Sequence, residues 1–526
     1  MIGHAPPETV TGRGRWLALT AIVVSSLVLG LDSTILVTAL PTLSSELGAT
    51  TSQLQWISTA YLLALAGFLI PAGALGDRLG RRRMLLLALA IFGVSSVAAS
   101  QMASAGGLIF MRALMGISGA FVMPISMAVL PTIFSERERP RAIAIGGAGM
   151  FLGLPLGPLV AGWLLTHYAW GSIFLINAPI VIVAVIGVWQ FVPESKDSAP
   201  RRVDFVGAAL AVAGVTSFVY GVIEQPSVGW AEPAVAASLL GGAILLVGFT
   251  IWELRARAPL IDLRLFRNPR FSWSIAVSVV MSFSLMGMLF VLTPFLQVVQ
   301  ANDAQSTGIR LLPLIAGIVA GALVSDRLLY RLGARVTLGL GLLVSGAGLA
   351  VTSLVGPASG YGLMVVALPV VGVGIAFAMF TSINVILEVL PESQTAAGSA
   401  LTRALGQLGS SFGVAIMGSL LNGAYRAGIA DHLGGLPAHL KETAEGSVAG
   451  AALIASHLPA SFGHPLFLAA NDAYSAGMSE VLRVSAGVMV VTAFLVATFM
   501  PRRAPAAAPQ PAANQGERVE RALSRS

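Results

Sequence analysis

The sequence predicts an all-α polytopic membrane protein with fourteen transmembrane helices. Only 10% of its 526 residues are charged, 56% are hydrophobic, and the mean hydropathy is +0.84. A soluble domain carries about 25% charged residues, so the composition excludes a large soluble enzyme. The chain also alternates between long apolar segments and short polar ones, which is the pattern expected for repeated membrane crossings.

Fourteen segments meet the length of about 20 mostly apolar residues that a spanning helix needs. In chain order, the predicted helices are 16–40, 54–75, 84–102, 105–130, 142–165, 173–192, 205–223, 234–252, 272–299, 308–329, 336–355, 361–387, 396–421 and 481–500. Residues 422–480 are predicted to form a long outer loop, because the fairly apolar stretch 448–470 contains His457, His464, Pro459 and Pro465, which argue against a fifteenth span. Residues 504–526, rich in alanine and proline, predict a disordered tail.

The distribution of basic residues predicts the orientation. Most of the 31 lysines and arginines lie in alternate connections and near the two ends of the chain, and the six short loops on the other side hold none. Cytoplasmic loops carry such an excess, so residues 1–15 and the tail are both expected in the cytoplasm. Arg13 and Arg15 precede an apolar run without a cleavage site, which predicts an anchor and not a removed signal peptide. The preference for arginine over lysine favours a bacterial cytoplasmic membrane.

Several classes of function are excluded by what the sequence lacks. It has no cysteine, which rules out disulfides and thiolate metal sites. It has no phosphate-binding loop ending in Lys-Ser or Lys-Thr and no His-Glu-x-x-His metal motif. The formal charge of +7 does not indicate a nucleic-acid partner, because the arginines are scattered among loops and form no single face. We therefore expect no enzyme activity, no metal and no bound cofactor.

An arginine-rich motif follows the second predicted helix, over residues 73–83. Gly73 and Gly80 permit close helix contact and a tight turn. The Asp77 carboxylate can pair with a neighbouring arginine, such as Arg78 or Arg81, or accept hydrogen bonds from a helix N-terminus. We interpret these residues as a conformational latch, meaning a set of contacts that holds one state of the protein and breaks in another. A purely topological arginine cluster is the alternative.

A looser copy of this motif follows the tenth predicted helix and retains an acid–arginine pair at Asp326 and Arg327. Each copy follows the second helix of a six-helix block. Two similar six-helix halves are typical of a transporter whose site lies at their interface. The predicted division is 16–192 for the first half, 193–271 for two inserted helices and their loops, and 272–503 for the second half.

Two charged residues lie deep inside predicted helices. Asp32 stands nine residues before Pro41, and Arg112 stands seven residues after Ala105. At 1.5 Å per residue, both fall about 10–14 Å below the outer surface. A carboxylate inside a membrane is costly and indicates function, and burial favours its protonated form, as a proton carrier requires. We interpret the two residues as a proton-coupling pair. A structural ion pair is the alternative, and the two roles are compatible.

A glycine stripe marks the fifth predicted helix. Gly149, Gly153 and Gly157 recur every four residues, followed by Pro158 and Gly162. Glycines at this spacing share a face and permit tight helix packing, and proline can kink the helix. Ordinary small-residue packing is the alternative to a specialised role.

Glu224, near the outer end of the seventh predicted helix, is a weak candidate for contact with a cationic substrate. A simple carboxylate at the edge of a loop is the alternative.

Together these motifs resemble the major facilitator superfamily, and within it the fourteen-helix drug:proton antiporters. The resemblance covers about residues 15–503. The motif over 73–82 is typical of the superfamily at large, the segment 153–162 of its antiporters, and the segment 31–41 of the fourteen-helix branch.

The chain departs from the family pattern at several positions. Val37 stands where the branch usually has asparagine, Met115 where it has glutamine, and Ala161 where it has glycine. The thirteenth helix has Gly406 where an arginine is often found, with Arg403 one turn earlier.

The resemblance implies a major facilitator fold and proton-driven export of small amphipathic or cationic compounds by alternating access. The implied partners are a small-molecule substrate, protons and the lipid bilayer, with the proton gradient as energy source, and we expect a monomer. Two other functions stay open at this point. One is a proton-coupled transporter of a defined metabolite, and the other is a non-transporting sensor on the same fold.

Overall fold

The computed structural model describes residues 13–197, 204–256, 259–261, 263–390, 395–434 and 436–501. The segment 504–526, predicted as a tail, lies outside these residues. The described residues form fourteen long helices, joined by shorter helical segments and turns. They are α1 Arg13–Leu47, α2 Thr51–Leu79, α3 Arg81–Ala99, α4 Ala105–Ile133, α5 Arg139–His167, α6 Asn177–Phe191, α7 Phe205–Val228, α8 Pro233–Arg255, α9 Pro269–Pro294, α10 Leu312–Leu332, α11 Ala334–Thr352, α12 Gly362–Val389, α13 Thr395–Ile429 and α14 Ala460–Phe499.

Thirteen helical segments are long and apolar enough to cross a membrane. Helix α5, with 29 residues, is long enough as well. The predicted all-helical membrane fold is confirmed.

Local sequence sets where several helices begin. Thr50 and Gln53 form a capping box at the start of α2. The side chains of Ser104, Asp204 and Asn268 accept backbone hydrogen bonds at the starts of α4, α7 and α9. Such caps satisfy backbone N–H groups that have no partner inside the helix.

The helix packing repeats between the two halves. In the first half α1 packs mainly on α5 and α2 on α4, and in the second half α9 packs on α13 and α10 on α12. Each helix of the second half stands eight places after its counterpart in the first. The bundle is thus a duplicated six-helix unit, as the two copies of the arginine-rich motif indicate.

Helices α7 and α8 pack against each other beside the two halves. Helix α7 also contacts both α2 and α13. A small apolar cluster joins the three helices, formed by Leu63, Val215, Val219, Ile223 and Ala415. The inserted pair therefore lies along the junction of α2 and α13 and bridges the halves there.

The prediction of a loop over residues 422–480 is wrong in its extent. Helix α13 continues to Ile429, two short helices follow at Ala438–Gly446 and Val448–His457, and α14 begins at Ala460. Pro459 directly precedes α14, where its missing N–H costs no helix hydrogen bond. The helix Val448–His457 has 10 residues, too few to span a membrane.

The arginine-rich motif is also helical and not a loop. Helix α2 continues to Leu79, α3 begins at Arg81, and Gly80 alone joins them. We call the end of the bundle that carries this turn and the α10–α11 turn the arginine-rich end. The opposite end, which carries the helices Ala438–Gly446 and Val448–His457, is the arginine-poor end.

The glycine stripe of α5 lies directly against the backbone of α1. A Cβ atom at Gly149 would overlap the carbonyl group of Val23. A Cβ atom at Gly153 would lie 2.5 Å from the backbone nitrogen of Leu31. Helices α1 and α5 can therefore approach this closely only because these positions lack side chains.

We expect the substitution Gly149→Ala to destabilise the protein and Gly147→Ala, in the same helix, to be tolerated. The first change forces α5 away from α1, with an expected cost of about 1–3 kcal/mol for overpacking. The second places a methyl group in space that has no neighbouring atom within 4 Å, and alanine is the better helix former by about 1 kcal/mol. Thermal unfolding of the detergent-purified variants measures the difference, and equal melting temperatures would contradict the close contact.

Candidate functional site

Asp32 and Arg112 form a buried ion pair between α1 and α4. The Arg112 Nη1 atom donates to Asp32 Oδ2 at 2.7 Å, and the two side chains are 2% and 0% exposed. Their predicted similar depth is therefore matched by direct contact in the structure. Burying two charges is costly, and their attraction compensates only when geometry is good and further hydrogen bonds are made.

The second carboxylate oxygen of Asp32 has its own donor. Asn177, the first residue of α6, donates from Nδ2 to Asp32 Oδ1 at 3.2 Å and to Ser96 Oγ at 3.0 Å. Ser96 of α3 in turn donates to the carbonyl oxygen of Phe174 at 2.8 Å. The side chains of Asn177 and Ser96 are fully buried. The negative charge of Asp32 is thus held by donors from two helices, α4 and α6.

Arg112 makes two further contacts with α2. Its Nε atom donates to the carbonyl oxygen of Ile57 at 3.3 Å. Its guanidinium carbon lies 4.3 Å from the centre of the Tyr61 ring, within the range of a cation–π interaction. The ion pair therefore ties α1, α2, α4 and α6 together inside the first half.

The ion pair adjoins the interface between the halves. Arg112 and Tyr61 line a small cavity together with Met286 and Phe290 of α9 and Val414 of α13. Arg112 therefore lies at the edge of a cavity to which both halves contribute.

The halves are joined by hydrogen bonds near the arginine-poor end. Gln55 of α2 donates from Nε2 to the carbonyl oxygens of Val414 and Ala415 at 3.1 and 2.8 Å. Gln297, in the π-helical segment after α9, donates to the carbonyl oxygen of Thr38 at 2.7 Å.

A second set of contacts at the arginine-poor end involves the short helices. Ser44 of α1 lies 2.7 Å, between hydroxyl oxygens, from Ser447, the cap of the helix Val448–His457. The start of α2 is also attached, because Thr51 donates to the carbonyl oxygen of Gly446 at 2.8 Å. The short helices thus cover the C-terminus of α1 and the N-terminus of α2.

The arginine-rich motif forms a tight turn held by a residue outside it. Gly80 has a φ of +118°, a backbone conformation that favours glycine. The Glu194 carboxylate accepts hydrogen bonds from the backbone N–H groups of Arg82 and Arg83 at 3.2 and 3.3 Å. It therefore caps the N-terminus of α3, where a negative charge is favourable.

Asp77, the predicted acid of the latch, forms an ion pair with an arginine of the same motif. Asp77 Oδ1 lies 2.7 Å from Arg81 Nη2, and Arg78 is exposed. Gly73 lies beside Pro124 of α4. The described contacts of this motif are within the first half and with the segment after α6.

The copy of the motif has a similar construction. Gly333 alone joins α10 and α11, with a φ of +78°. Asp326 accepts a hydrogen bond from Asn384 of α12 at 3.0 Å, and Arg327 is exposed. The two motifs thus occupy equivalent turns in the two halves.

The remaining predicted residues lie at the arginine-poor end. Glu224 accepts a hydrogen bond from Trp56 Nε1 at 3.2 Å and is not among the residues that contact Asp32. Gly162 and Pro158 of α5 pack on the short helix Ala304–Arg310 that precedes α10. These two residues therefore form a contact between the halves.

Three polar residues of this site were missed by sequence reasoning: Asn177, Glu194 and Gln55. Asn177 stands as a single amide in an otherwise apolar segment, which was an available signal. Glu194 and Gln55 lie near predicted helix ends, where polar residues are ordinary.

Comparison with known proteins gives the family. The model of the Major Facilitator Superfamily matches residues 22–414. The tetracenomycin C resistance and export protein of Streptomyces glaucescens is 32% identical over 421 residues, which cover 80% of this chain and 78% of that protein. The multidrug efflux pump LfrA of Mycolicibacterium smegmatis is 30% identical over 500 residues, covering 94% and 98%.

A solved structure with the same fold is that of a bacterial homolog of the human lysosomal transporter Spinster, in an inward-facing, unoccupied conformation. It has a TM-score of 0.69 and 18% identity, and the match covers 94% of this chain and all of the other. The duplicated halves, the paired turns and the family match lead to one conclusion: this chain belongs to the major facilitator superfamily.

Proposed function

We propose that this protein is a proton-driven antiporter that exports small amphipathic or cationic compounds. Relatives at about one-third identity are named for resistance or export, including a tetracenomycin C exporter, a methyl viologen resistance protein of Salmonella typhimurium and a multidrug efflux pump. The protein moves its substrate by alternating access and performs no covalent chemistry on it. The energy source is the proton gradient, with no bound cofactor.

The proposed orientation places the arginine-rich end in the cytoplasm of a bacterium, with both termini on that side. The excess of arginine at the α2–α3 and α10–α11 turns supports this orientation, because basic loops stay on the cytoplasmic side. The protein acts as a monomer in the cytoplasmic membrane.

The observation that carries the proposal is the buried Asp32–Arg112 pair beside the cavity between the halves. With Asp32 ionised, the pair is neutral. When Asp32 takes up a proton, Arg112 keeps its positive charge without a matching anion. The new charge lies next to the cavity, where it weakens the contacts that order α1 and α4. Proton binding and substrate release are thereby coupled.

Helix packing and a hydrogen bond link the helix that carries Asp32 to both halves. Helix α1 carries Asp32, packs without intervening side chains on α5, and accepts the hydrogen bond from Gln297. In the described state the halves meet at the arginine-poor end. We propose that rocking opens these contacts and closes the arginine-rich end, where the turns at Asp77 and Asp326 act as latches.

We expect Asp32→Asn to abolish transport driven by a pH gradient. Asparagine fills the site but cannot release or accept the coupled proton. Ethidium accumulation in everted membrane vesicles, with and without a pH gradient, measures the effect. The exposed acid Asp472 of α14 provides the control, and Asp472→Asn should transport like the unmodified protein.

Removal of one partner of a buried ion pair costs about 3–5 kcal/mol, so folding of Asp32→Asn is checked by gel filtration and ethidium binding. Full gradient-driven transport by a folded Asp32→Asn variant would overturn the assignment. An unmodified protein that moves a metabolite but no amphipathic dye would favour the alternative function.

We expect Asn177→Ala to reduce gradient-driven transport while the protein stays folded. Loss of the amide removes the donor to Asp32 Oδ1 and the hydrogen bond to Ser96, and a hydrogen bond to a charged group contributes about 1.5–3 kcal/mol. Ethidium export driven by a pH gradient measures the effect, and gel filtration checks the folding of the variant. Transport equal to that of the unmodified protein would contradict a role of Asn177 in holding the carboxylate.

A further inference from the structure

Arg403 of α13 is a cation that the site around Asp32 does not use. It stands eight residues after the start of α13, about 12 Å along the helix axis. Arg403 is exposed in the described structure. Among the described residues, the arginine ion pairs of the second half join Arg270 to Glu388 and Arg426 to Glu445, and Arg403 has no such partner.

Helix geometry places Arg403 on the same face of α13 as Val414. Val414, which lines the cavity beside Arg112, comes eleven residues later, close to three full turns. Two other faces of α13 are covered: Gly409 and Gly413 pack on α9, and Phe412 contacts Phe218 of α7. Arg403 therefore shares the face of α13 that lines the cavity between the halves, and it lies nearer the arginine-rich end.

Arg403 lies about 16 Å along α13 from Val414 and the ion pair beside it. The carboxylate of Asp32 is already held by Arg112 on one oxygen and by Asn177 on the other. The charge of Arg403 is thus not balanced by this acid. Arginines inside a membrane protein almost always face an interior cavity and mark a substrate pathway, and a guanidinium group binds a carboxylate through two parallel hydrogen bonds.

We propose that Arg403 binds an acidic group of the transported compound when the protein is open toward the arginine-rich end. The inference rests on the proposed export function and narrows its substrate class to apolar compounds that carry a carboxylate or a similar anionic group. The apolar body lies toward Phe290 and Met286, and the anionic group pairs with Arg403.

The test uses two dyes with the same aromatic body: rhodamine B, which has a free carboxylate, and its ethyl ester, which has none. Binding to the detergent-purified protein is measured by fluorescence polarisation. We expect the unmodified protein to bind the acid about tenfold more tightly than the ester, as one charge-assisted pair provides. In Arg403→Gln this preference should vanish while the affinity for the ester stays unchanged.

Two further variants complete the experiment. Arg403→Lys keeps the charge but not the planar pair of donors, so an intermediate preference is expected. Arg483 of α14 is also exposed, on the outward face that carries Val490 and Val491, and Arg483→Gln should keep the full preference. The inference is overturned if the unmodified protein does not prefer the acid, or if Arg403→Gln keeps that preference. Gradient-driven export of the ester is scored separately, so a failure of the export function itself is recognised.

Discussion

The arrangement of the first half depends on one buried ion pair, whose two charges need partners inside the protein because water does not reach them. Asp32 and Arg112 are nearly unexposed, and each charge would be very costly without its partner. The contacts around them offset that cost. Asn177 supplies a second hydrogen-bond donor to the carboxylate. The Arg112 guanidinium donates to the carbonyl oxygen of Ile57 and lies over the ring of Tyr61. In the proposed coupling, protonation of Asp32 removes this balance of charge, and the helices that carry the pair shift in response.

The fold was largely accessible from the sequence because membrane helices obey simple constraints. Apolar length and the arginine distribution predicted the number of spans, and the repeated motif at Asp77 and Asp326 predicted the duplicated halves. The errors lie where those constraints are weak. Outside the hydrocarbon layer, hydropathy does not distinguish an irregular loop from a short helix, so the helices Ala438–Gly446 and Val448–His457 were predicted as part of a loop. A single Gly80 with positive φ joins two helices where the sequence suggested a loop.

The candidate site was accessible only in part. A charge inside an apolar helix is conspicuous in the sequence, so Asp32 and Arg112 were candidates, and their similar depth permitted a pair without establishing it. Asn177 completes the site from α6, a helix far away in sequence, and only the packing of α3 against α6 brings it to the carboxylate. Glu194 is similar, since its role as a cap of α3 depends on where the chain runs after α6. The roles in proton coupling and in the latch stay predictions that experiments have to test.

The inserted pair α7 and α8 has a consequence for the path of a compound dissolved in the bilayer. The two halves meet along two seams, α2 with α13 and α5 with the region before α10. Helix α7 fills the groove along the first seam and contacts both of its helices. Lateral entry from the lipid is therefore blocked on that side. The two seams therefore differ in how they are exposed to the bilayer, although the two halves that form them are built alike.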